Sequence, residues 1–245
     1  MSATLHDRAE RGLAVLHRAR AGAERFVGAF LPGASARRMH AAAVADEWSA
    51  ANLTERHGPG PLWVVLGDGA SLGLGASTRD ASYVRLVADA LQAGGAPWRV
   101  VNLAADGAGV DDVLARQLPE LRALSTVQPA DLVTCVVGIG DVLGRARAVE
   151  ARLRTLLAAL PEGAVVATVP PVWSTRASAA LNALVREEAG RRGLRVADVG
   201  DAGPGRGRWC GACYQPNDVG HARWAAAIVA AVERGAAGDP TAAAG

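Results

Sequence analysis

The stretch from Leu62 to Ser77, LWVVLGDGASLGLGAS, carries an apolar run straight into a glycine-rich turn that holds Asp68 and Ser71. Such a turn suits two chemistries: backbone N–H groups at a helix start can cradle a phosphate, or a sharp strand-to-helix bend can present a nucleophile. Gly67, Gly69 and Gly73 imitate a dinucleotide fingerprint, but their G-x-G-x-x-x-G spacing is one residue off. The next acidic residue beyond a strand, Asp106, also lies much further on than the roughly 20 residues of that pattern. Gly69 to Gly73, GASLG, fits the G-x-S-x-G nucleophile elbow, with Ser71 as nucleophile and His221 downstream. That fold needs several strands before its elbow, whereas the preceding residues read as helical. HGPG at 57–60 lies too close to the elbow to supply its oxyanion donors.

The other reactive side chains are sparse. Cys210 and Cys213, in WCGAC, match the Cys-x-x-Cys of thiol-disulfide proteins, but they fall late in the chain and no helix begins until near Asp218. They leave open a thiol switch, and no second ligand pair accompanies them for a metal. His57 precedes the first strand and so belongs to the opposite end of the sheet, about 20 Å away at some 3.3 Å per residue. His221 opens the last helix, where packing or capping is the expected role, and His6, His17 and His40 lie near the N-terminus.

The elements that must position these residues alternate. From Pro61 on, short β-branched runs at 62–67, 98–103, 131–137, 164–169 and 194–199 are separated by amphipathic segments at 80–93, 109–124, 144–160, 176–192 and 218–234. This is the pattern of βαβ units with helices on both faces of a parallel sheet. The spacing predicts an N-terminal helical extension over 1–55, an α/β domain over 56–235 and a frayed tail over 236–245. In such a sheet ligands bind beyond the carboxyl ends of the strands, here the turns GDGASLG, AADGAG, GIGD, PPVWS and GDAGPG.

Composition narrows the partners. All 26 basic residues of the 245 are Arg, the net charge is only +2, and the arginines sit among Glu and Asp, as in VEARLRTLLAAL. No basic face with interleaved aromatics exists for nucleic acid. No run of about 18 apolar residues and no signal-peptide pattern occurs, so a cytoplasmic chain without a membrane span is expected.

Taken together, VVLGDGASLGLGAS, VVNLAADGAGVDDVL, DLVTCVVGIGD and YQPNDVGHARWA resemble, in order and spacing, the four blocks of the SGNH/GDSL hydrolases, a family of esterases and lipases. The resemblance covers about residues 61–230. It implies a three-layer α/β/α, flavodoxin-like fold with five parallel strands. It also implies a Gly-Asp-Ser turn, an oxyanion hole of a glycine N–H and an Asn side chain, and an Asp-x-x-His pair. Those positions fall here on Gly69 for the nucleophile, Gly107 and Gly140 for the oxyanion donors, Ala212 for the acid and Gln215 for the base. Asp68, Asp141, Pro216, Asn217, Gly220 and Trp224 keep the surrounding frame. The expectation is a catalytically impaired pseudoenzyme that retains a pocket for a small ester or acyl ligand and needs no cofactor. Asp68, Gly69, Gly107, Gly140, Asp141 and Gln215 would line that pocket. Two alternatives stay open: an esterase with a relocated nucleophile, Ser71 or a bound water, and a thiol-switch or binding protein using Cys210 and Cys213. A helical turn after Gly69 would swing Ser71 roughly 200° away, at about 100° per residue.

Overall fold

The computed structural model describes residues 34–141, 146–170, 175–200 and 215–236. The helices expected before residue 34, the tail beyond 236, and Cys210, Ala212 and Cys213 lie outside these. The chain divides into two compact units, Met1–Ala43 and Val44–Gly245. The first is described only over residues 34–43, the start of helix α1 (Ala34–Glu55).

Within Val44–Gly245 the order after α1 is β1 (Leu62–Gly67), the one-turn helix α2 (Gly69–Leu72), α3 (Tyr83–Ala93) and β2 (Arg99–Asn102). Helix α4 runs as Val110–Asp112, a π segment Val113–Gln117, and Leu118–Ser125. β3 (Leu132–Val136), α5 (Ala146–Ala159), β4 (Val165–Ala167), α6 (Thr175–Arg192), β5 (Arg195–Ala197) and α7 (Asp218–Ala236) complete it. The five strands are all parallel in the order β2-β1-β3-β4-β5. Each lies inside its expected window, and the sheet is the α/β architecture that the alternating pattern implies.

β1 is buried at every position because helices cover both faces. Its alternate residues Leu62, Val64 and Leu66 join Val101, Val133, Cys135 and Val166 in a core closed by Val110, Val113 and Leu118 of α4, Leu153, Leu156 and Leu157 of α5, and Leu181, Leu184 and Val185 of α6. Trp63 and Val65 point to the opposite face by the period of two. On that side α3 packs against α7, and Tyr83, Val84, Val87, Trp224 and Ile228 are buried. The second half of α1 belongs to this unit. Trp48 Nε1 donates to the Leu72 carbonyl at 3.0 Å. Asn52 donates to the Asn102 carbonyl and accepts from its N–H, both at 2.8 Å.

Candidate active site

The site begins where β1 ends. Gly67 has φ +153°, and a Cβ on it would lie 2.2 Å from Ser71 Oγ and 2.4 Å from the Val136 carbonyl, so only glycine fits there. Its peptide groups are held twice by one side chain: the Gln117 amide accepts from the Gly67 N–H at 2.8 Å and donates to its carbonyl at 2.9 Å. Gln117 ends the π segment of α4, and the wider turn carries it to this position. Asp68 then caps α2 by accepting from the Ala70 N–H at 3.0 Å.

Beneath the turn, polar side chains form a closed network. Ser71 is fully buried and accepts from the Tyr83 hydroxyl at 2.7 Å. Asn102 Nδ2 donates to the Ser71 carbonyl at 2.8 Å. His221 is also fully buried; its Nδ1 accepts from the Tyr83 N–H at 3.2 Å, so its Nε2 carries the proton and donates to the Leu74 carbonyl at 3.2 Å. Burial pushes this imidazole down to about 4, leaving it neutral. The packing role expected for His221 is the one it has. The geometry places Ser71 with Tyr83 under the turn, and α2 swings it off the open face as the helical start requires.

Above the turn three loops converge. A Cβ built on Gly69 would lie 2.9 Å from Asp106 Oδ1, in the loop after β2, and 3.0 Å from Gln215 Nε2, just ahead of α7. Residues from three distant segments therefore meet at one point. The N–H groups of Gly69 and Gly107 have no backbone acceptor among the described residues. Gly107, at φ +69°, turns the β2 loop. Asp141 braces that loop from the next strand: it accepts from the Val110 N–H at 3.0 Å, and a Cβ on Gly109 would lie 2.8 Å from its Oδ1. Gly140 beside it is exposed. Asp68 lies close to both acids. Burial is the main force raising its carboxyl to about 7, opposed by the Ala70 hydrogen bond and reinforced by the charges of Asp141 and Asp106.

Other nucleophiles are far from this point or masked by the core. His57 lines a cleft of about 630 Å³ with Trp98 and Arg99, at the opposite ends of the strands. Cys135 is buried in β3, and burial pushes its thiol up to about 12. Among the described residues no group of three or more His, Cys, Asp or Glu is arranged to hold a metal, and no helix is long and apolar enough to cross a membrane. The GDSL-like Lipase/Acylhydrolase family matches residues 65–223, from β1 into α7. The chain belongs to this family.

Solved structures carry the same fold. The crystal structure of TesA aligns with TM-score 0.58 and 20% identity, over 70% of this chain and 98% of its own. A psychrotrophic esterase, EstA from Pseudoalteromonas sp., inhibited by monoethylphosphonate, aligns at 0.56 and 16%, over 72% and 98%. The lipase/acylhydrolase from Enterococcus faecalis aligns at 0.56 and 22%, over 69% and 94%. No curated protein matches the sequence.

Two residues of this GDSL-like site escaped sequence reasoning. Asp106 appeared in the sequence only as the ill-spaced acidic residue of the dinucleotide pattern. Gln117 carried no signal at all, because its reach depends on a π segment that no helical period reveals.

Proposed function

We propose that this family member has lost serine acyl transfer and binds an acyl or ester ligand in the pocket over Gly69. The observation that carries this reading is the pairing of Gly69 with Gln215. The two positions where the family pattern expects nucleophile and base lie against each other, as a reacting pair must, yet one offers no side chain and the other an amide. Glycine has no atom to attack with, and an amide is not a base near neutral pH. In a serine protease, loss of the nucleophile or the histidine costs on the order of 10⁶ in kcat.

Ser71 does not replace the lost nucleophile in this reading, because it is fully buried and bonded to Tyr83. What supports binding is the retained frame: the Gly69 and Gly107 N–H groups have no backbone acceptor among the described residues and would be the donors to a carbonyl oxygen. The ligand class follows from the family.

Intact-mass spectrometry after exposure to a reactive fluorophosphonate tests the loss of serine chemistry, with an active esterase alongside. The expected result is no adduct on this chain; an adduct mapped to Ser71 would reinstate a serine esterase. Thermal shift with methyl ketones of increasing chain length, which present a carbonyl and cannot be hydrolysed, tests binding. A rise in Tm that grows with chain length is expected, and no rise at any length removes the binding reading.

A further inference from the structure

Asp106 has no part in serine chemistry, yet its carboxylate oxygen is 2.9 Å from the point where the Gly69 side chain would start. A seryl oxygen would stand one bond beyond that point, so the carboxylate reaches the space a nucleophile would fill. Asp106 is exposed, so solvent and ligand both reach it. The Gln215 amide nitrogen flanks the same point from the other side at 3.0 Å. A Cβ at that point would already meet Asp106, Gln215 and Leu74 at 2.9, 3.0 and 3.0 Å, so a free water oxygen would stand beyond it, against the Asp106 carboxylate.

We infer that Asp106 acts as a general base for water attack on the carbonyl of a bound activated ester, giving slow hydrolysis without a serine. The inference rests on the reading that an acyl ligand occupies this pocket. In the step, water oxygen bonds to the carbonyl carbon while Asp106 takes one of its protons. The carbonyl π electrons move onto oxygen, held by the Gly69 and Gly107 N–H groups. When the carbonyl re-forms, the bond to the leaving oxygen or sulfur breaks with its electron pair, and the leaving group takes the proton back from Asp106. The products are a carboxylic acid and an alcohol, phenol or thiol, and Asp106 is regenerated.

The competing groups are worse placed. Asp68 is buried, whereas Asp106 is exposed, and His57 is at the far end of the strands. The step draws on no imidazole acid for the leaving group, so aryl esters and thioesters should turn over and simple alkyl esters should not.

The test is hydrolysis of p-nitrophenyl butyrate by the full chain, by Asp106→Asn, by Gly69→Ala, which fills the water's space, and by Asp89→Asn on the outer face of α3 as control. Wild type and the control should exceed the buffer rate equally, and both site variants should lose about tenfold or more. A single turnover in ¹⁸O-water should label the butyrate and leave the protein unlabelled. The inference is overturned by a wild-type rate no higher than buffer, by Asp106→Asn at the wild-type rate, or by ¹⁸O in Asp106, which would make it a nucleophile. Methyl ketone thermal shifts on the same proteins separate the two claims. Ketone binding with an unaffected Asp106→Asn rate sinks only the base, whereas absence of ketone binding sinks the pocket.

Discussion

Beneath the glycine turn, Ser71, Tyr83, Asn102, Gln117 and His221 are buried and bonded to one another or to the backbone. Above it stand a glycine, an exposed carboxylate and an amide whose Oε1 is buried without a partner. The lower layer is the part the fold requires, since a buried polar group without a partner costs about 1–3 kcal/mol. The upper layer is the part a reaction would require. The demands of folding on the lower layer therefore do not by themselves fix which side chains stand in the upper one.

The largest effect that could break this division lies at Asp68, which touches both layers. Its carboxyl is raised from 3.8 to about 7 in the fold, so the folded state holds a proton that the unfolded chain releases. Its stabilising contribution is therefore full below about pH 4 and is lost as pH rises to 7. Asp68→Asn, which keeps an acceptor for Ala70, should exceed wild type by a margin growing to roughly 4 kcal/mol above pH 7. His221 works in the opposite sense: its imidazole is lowered from 6.5 to about 4, so stability is lost as pH falls through that window. Urea titrations from pH 4 to 8 should thus show wild type nearly level and the variant weakening on the acid side. Parallel curves for the two proteins would remove Asp68 from the argument.

His221→Ala comes next. It strands the Tyr83 N–H and the Leu74 carbonyl and leaves a cavity, for a loss of about 3 kcal/mol by denaturant titration. A loss below about 1 kcal/mol would mean the lower layer is not a structural unit. Gln117→Ala should cost about 2 kcal/mol, because the buried Gly67 N–H loses its partner and the Gly67 carbonyl keeps only the Ala105 N–H. Gly69→Ser should be the mildest, at about 1 kcal/mol, since the new Cβ meets the movable ends of Asp106, Gln215 and Leu74. It should restore no fluorophosphonate labelling, because Gln215 still supplies no base; strong labelling of that variant would overturn the assignment of position 215.

Strand and helix windows were legible because a doubly covered parallel sheet writes itself as continuous apolar runs between amphipathic ones. Strands β4 and β5 came out at three residues each, shorter than their windows, because only part of each run finds a neighbour to pair with. Gly69 and Gln215, which block order assigns to one site, do lie against each other, and the swing of Ser71 followed from helical geometry. Asp106 could not be placed, because its approach to Gly69 depends on the path of an exposed loop. Gln117 could not either, since one extra residue per turn re-aims a side chain without changing the apolar pattern.

The pair of hydrogen bonds between Gln117 and Gly67 bears on how anything enters the site. A residue whose N–H and carbonyl are both held by one buried amide resists rotation of its two flanking peptide groups, so the turn acts as a floor more than as a hinge. In the proposed pocket, admission would then fall to the Asp106 and Gln215 side chains above that floor. Side-chain rotations are among the fastest motions of a protein, while loop openings are orders of magnitude slower. Ligand capture here should follow the quick clock, with association governed by diffusion and fit and not by a gating step.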